Sequence, residues 1–203
     1  MFERARRFLA LSSSVALAGL VMAAQLAGAS QTQGHMARAD HAVAGEVKKV
    51  DHAAKTIVIH TADGIDETIK FTERTTVRGV EGVTRAAEVG ARASLEGGSA
   101  VLRYTGEGVD KIAVSIDHVG KRPLGMARGT VVRVDDAGKV VVVKTAAGAE
   151  ETFELTKDIV VDSGRGIEVG VVATGGAIKK GAEVTVHYSE EGGKKLAHFV
   201  KHL

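Results

Sequence analysis

The segment Gly45–Val77, GEVKKVDHAAKTIVIHTADGIDETIKFTERTTV, returns at Gly129–Val161 as GTVVRVDDAGKVVVVKTAAGAEETFELTKDIVV. The offset of 84 runs on without a gap until His118 falls on His202, and close to a third of the aligned pairs are identical. Self-similarity at a fixed period constrains the fold more than any other feature, because each copy must be a unit that can close its own core or share one with its neighbour. The expectation is a tandem duplication.

Within a copy the signals are those of short strands. Val47 and Val50 lead into the turn Asp51-His52-Ala53-Ala54, and the β-branched run Thr56, Ile57, Val58, Ile59 follows. Ala62-Asp63-Gly64 makes a second turn, and Ile69 and Phe71 mark one face of a third strand. Asp51 and Asp135 suit turns because a short carboxylate accepts nearby backbone N–H groups. The middle of each copy agrees least, and a short helix is expected around Thr84–Val89. Each copy closes with a hairpin. Pairing Val186 with Leu196 and Val184 with His198, and likewise Leu102 with Ile112, gathers the apolar residues on one face, so that register is expected. Five or six strands per copy, with turn residues at regular intervals, predict an all-β chain of two tandem small β-barrels, OB-like or SH3-like.

The N-terminus adds an expectation of export. Arg4, Arg6 and Arg7 precede an uncharged stretch, Phe8–Ala29, that ends in Ala27-Gly28-Ala29, the form of a cleaved signal peptide. A retained anchor is the alternative, but the stretch is only weakly apolar. The expected organisation is a signal peptide over 1–29, a flexible arm over 30–42, a first barrel over 43–120, a linker over 121–127 that holds Pro123, and a second barrel over 128–203. Removing the leader takes three arginines and Glu3 from the 27 basic and 25 acidic residues, so the remaining chain has no formal net charge. That argues against a nucleic-acid partner, which needs a positive field. No membrane span is expected after the leader. With no cysteine, stability must come from buried apolar area and backbone pairing, which a unit of this size manages by a small margin.

The opening Gly-x-Val-x-x-Val-Asp of each copy and the late Lys180-Gly181-Ala182-Glu183-Val184-Thr185-Val186 resemble a family of exported bacterial small β-barrel modules of unassigned function. The resemblance implies a fold and a cell-envelope location, and brings no catalytic residues with it.

Chemistry-bearing residues are sparse. A cysteine-free exported protein that bound a transition metal would use imidazoles and carboxylates, and the second copy offers His187, His198 and His202. The expected register sends His187 and His198 to opposite faces, with His198 inward. His118 and His202 are the only histidines shared by both copies, each at the end of its last strand, where a solvated ring is expected. The carboxylate pairs Asp66-Glu67, Glu150-Glu151 and Glu190-Glu191 read as solvated charges, since neighbours on a strand point to opposite faces. There is no phosphate loop, dinucleotide fingerprint or nucleophile elbow.

Aromatic residues are the remaining candidates. OB-like barrels bind flat ligands on exposed rings. Phe71 and Phe153 occupy matched core positions. Tyr104 and Tyr188 match at a strand end and are the best candidate contacts for a ligand, with a rim position covering the core as the plainer reading. Phe199 replaces Ser115 and would form an exposed apolar spot in the second copy alone. The function expected from these residues is a non-catalytic exported binding or structural module of the bacterial cell envelope. It would need no cofactor and would engage an unidentified envelope protein or polymer, two matched sites adding avidity. A histidine-based periplasmic metal-binding protein is the alternative, and an envelope hydrolase a distant third. Oligomeric state stays open.

Overall fold

A computed structural model describes residues 38–79, 83–85, 95–135, 137, 139–170 and 176–203. The expected signal peptide, most of the expected arm and the end of the expected helix lie outside these residues. Described elements are β1 (His41–Asp51), β2 (Thr56–Thr61), β3 (Asp66–Lys70), β4 (Thr76–Arg78), β5 (Val83–Arg85), β6 (Ser99–Thr105) and β7 (Ile112–Gly120), with a 3-10 turn over Gly108–Asp110. They continue as β8 (Gly125–Asp135), β9 (Val140–Thr145), β10 (Glu150–Asp162), β11 (Ile167–Val169), β12 (Glu183–Glu191) and β13 (Lys194–His202). Among the described residues no helix is long and apolar enough to cross a membrane. Thr84 and Arg85, expected in a helix, instead pair with β4. Strands also reach into the expected arm, at His41, and into the expected linker, at Gly125.

The chain is all-β and forms two small barrels. In the second, β8, β9, β10, β13 and β12 pair in a ring that returns to β8, with β11 outside it on β10. In the first, β1, β2, β3, β7 and β6 make the same ring, closed by the single pair Lys70↔Ile112, while β4 and β5 extend from β7. Closure is parallel in both, between β3 or β4 and β7 and between β10 and β13. A ring in which the first strand lies between the second and the fourth, and the third runs parallel to the fifth, is the OB arrangement. The choice between OB-like and SH3-like topology is decided by that parallel pair.

Local chemistry explains the strand ends. Asp51 Oδ1 accepts the backbone N–H of Ala54 at 2.8 Å, capping the β1–β2 turn. The first glycine of the shared opening motif permits a close approach: a Cβ at Gly45 would meet the carbonyl oxygen of His60 at 2.1 Å, and one at Gly129 that of Lys144 at 2.1 Å. Both strands then bulge at the same place, between Val47 and Lys49 and between Val131 and Arg133.

The closing hairpin differs from the expected register. Glu191 pairs with Lys194 across Gly192-Gly193, whose φ values of 56° and 79° make the two-residue turn that fits twisted strands. That turn, rather than the apolar pattern, sets the pairing, so Val186 faces Val200 and not Leu196. A bulge between His187 and Tyr188 then restores the apolar phase, and β6–β7 bulges between the matched Arg103 and Tyr104.

Each barrel encloses its own core, Val47, Ile57, Ile59, Ile69, Leu102 and Ile116 in the first and Val131, Val143, Phe153, Leu155, Val184 and Val200 in the second. Each such side chain contributes about 1.5–3 kcal/mol on full burial. A third cluster joins outer faces: Ala42, Ala44 and Val101 of the first barrel pack with Val160, Ile167 and Phe199 of the second. Val119 and Leu124, which flank the connection, pack against this seam. Ser99 fixes the connection further, its Oγ donating to the carbonyl of Arg122 at 2.9 Å.

Candidate functional site

A Glu–Lys–Tyr latch recurs where each ring closes. Lys111 Nζ donates to Glu67 Oε2 at 2.6 Å and lies 5.3 Å from the centroid of the Tyr104 ring. Lys195 Nζ donates to Glu151 Oε2 at 2.6 Å and lies 4.9 Å from that of Tyr188. The hydrogen bond each lysine donates to its carboxylate is the main reason it is held above its ordinary pKa. These ammonium groups therefore stay charged, which suits a cross-strand tie and not a nucleophile. Glu67 and Glu151, expected as solvated charges, are ion-paired instead. The lysines went unremarked in the sequence, although glutamate, lysine and tyrosine are all identical between the copies.

The two tyrosines have different surroundings. Tyr104 is buried, at 8% exposure, and belongs to the first core; the ring of His41 stacks on it with centroids 5.4 Å apart. Burial, followed by the nearby Glu67 charge, pushes its hydroxyl pKa up. The position matched to His41 is Gly125. A Cβ there would sit 2.5 Å from the Tyr188 ring, so the ring lies on the glycine backbone in space that a side chain would fill. Tyr188 packs on Phe153, centroids 5.1 Å apart, but keeps a partly exposed edge. That edge lines a cleft of about 570 Å³ bounded by the connection, Val119 to Pro123, and by Ser189, Glu190 and Glu191. The expectation of two matched surface tyrosines thus divides: one is a core residue under a histidine, the other borders an open cleft.

No family model matches the chain, and no curated protein does. Among solved structures the chain is similar to the crystal structure of Ag(I)CusF, at 18% identity and a TM-score of 0.30, over 39% of this chain and 97% of that one.

Phe199, expected as an exposed apolar spot, is 2% exposed. Its ring fills the seam and packs at a tilt against His187, centroids 5.3 Å apart. A surface reading fails here because the outer face of one barrel is the inner face of the pair.

The histidines are separated by their packing. His187 is 8% exposed, and burial pushes its pKa down to about 4, partly offset by Asp63 and reinforced by Lys201. His198, expected inward, is the bulged residue and lies outside the core, its Nε2 within 2.8 Å of Ser189 Oγ. Burial lowers its pKa as well, with Glu191 opposing. His202 and its counterpart His118 are not solvated as expected: both have a buried Nε2 without a hydrogen-bond partner. Among the described residues no group of three His, Asp or Glu side chains converges as a metal-binding set. The geometry offers instead an aromatic edge flanked by charged walls, suited to holding a ligand.

Proposed function

We propose that the chain is a non-catalytic binding module of the bacterial cell envelope, exported by its N-terminal leader, which holds its ligand in the cleft beside Tyr188. One observation carries the reading: Gly125 leaves Tyr188 at the cleft wall, whereas His41 caps the matched Tyr104. The first barrel then serves as a support that fixes the connection forming one side of the cleft. The absence of a recognisable nucleophile motif in the sequence supports a binding role over a hydrolytic one.

A cross-linking pull-down from native envelopes tests this, comparing wild type with Gly125→His, which fills the space under the Tyr188 ring, and with Tyr104→Ala. Saturable capture by wild type and Tyr104→Ala, lost in Gly125→His, is the expected result. Equal capture by all three would overturn the assignment of the site.

A further inference from the structure

We infer that the Tyr188 cleft takes a short zwitterionic peptide, one with a free ammonium and a free carboxylate. The inference rests on the cleft being the binding site proposed above and names its ligand class. Lys121 and Arg122 line the cleft from the connection, and Glu190 and Glu191 from the end of the β12–β13 hairpin.

Among the described residues the carboxylates are left without an ion pair for a specific reason. The residues directly across the hairpin from Glu190 and Glu191 are Lys195 and Lys194. Both lysines turn away to β10: Lys195 bonds Glu151 at 2.6 Å and Lys194 bonds Glu154 at 2.7 Å. Among the described residues Lys121 and Arg122 form no ion pair either, although they border the same cleft. Two cations and two carboxylates therefore share one concavity without neutralising one another.

A ligand bearing one sign of charge would meet like charge on part of that lining. A peptide with both termini free satisfies both sets of groups, and the Tyr188 edge gives a side chain between them an apolar contact. The cleft volume falls in the range that encloses small ligands.

The test is an NMR titration of the whole chain with alanyl-leucyl-alanine, its N-acetyl form and its C-terminal amide. The free peptide should shift the amides of Lys121, Arg122, Tyr188, Glu190 and Glu191, and each blocked form should bind at least about tenfold more weakly, the lower end of what a hydrogen bond to a charged group is worth. Glu190→Gln with Glu191→Gln should remove the penalty for acetylation and keep that for amidation; Lys121→Gln with Arg122→Gln should do the reverse. Equal binding of all three peptides, or no shift in the cleft at millimolar peptide, overturns the inference. If envelope capture still depends on Gly125 in that case, only the ligand class has failed. If that dependence is absent too, the site has failed with it.

Discussion

His187 packs against Phe199 with ring centroids 5.3 Å apart and the rings tilted by 31°, and the pair sits where the outer faces of the two barrels meet. An imidazole in that position is held neutral, its pKa pushed down to about 4 by burial.

The unfolded chain takes up a proton at this residue near pH 6.5, the folded chain only near 4. Between those values the unfolded state binds more protons, so the contribution of His187 is complete above about pH 6.5 and falls as the pH drops toward 4. The loss is about 3 kcal/mol. His118 and His198, also lowered by burial, act in the same direction. Urea midpoints measured from pH 7.5 to pH 4 should fall more steeply in wild type than in His187→Gln. Identical slopes would show that the ring is not buried in solution.

Phe199→Ala removes the largest side chain of the seam, and a buried Phe truncated to Ala costs about 3–5 kcal/mol. Because Phe199 lies outside the two barrel cores, the loss should appear as faster amide exchange in Val101, Ala42 and Val160 before the rest. Loss confined to the interior of the second barrel would contradict its placement between barrels.

The latches predict pairwise coupling. In a double-mutant cycle on Glu151→Gln and Lys195→Met, the interaction energy should be about 1 kcal/mol, at the upper end for partly exposed ion pairs. The Glu67–Lys111 cycle should give a similar value. Coupling near zero in both would mean that the rings close without them.

Gly45→Ala and Gly129→Ala should each be strongly destabilising, because the new Cβ would meet a backbone carbonyl oxygen at 2.1 Å and the strands must move apart. Thermal melts should show losses of about 1–3 kcal/mol, the usual cost of overpacking, or more. Gly148→Ala is a useful contrast: its φ of 82° is strained for alanine, but among the described residues the new Cβ would meet nothing within 4 Å beyond its chain neighbours. Losses at Gly45 and Gly129 no greater than at Gly148 would mean that the close contact does not explain the motif glycine.

Much of the architecture was legible from period and pattern. Alternating apolar residues and turn residues mark the strands of the two barrels, and Phe153 falls on a core-facing phase that the structure fills. The hairpin register was not legible from apolar phase alone, because a bulge lets either register bury the same face; Gly192-Gly193 held the information in its turn chemistry. The candidate site was legible in part. Tyr104 and Tyr188 stand out as a matched pair, but only their neighbours across β1 and β8, His41 and Gly125, distinguish them.

By itself the sequence determined which residues alternate, where turns can form and which side chains recur at an offset of 84, since these depend on local backbone preference and side-chain periodicity. Only the tertiary structure decided which outer faces become interior. Phe199 and His187 look like surface residues on a barrel taken alone, and they are buried because a second barrel lies against them, a contact between strands far apart in the chain that no local pattern encodes.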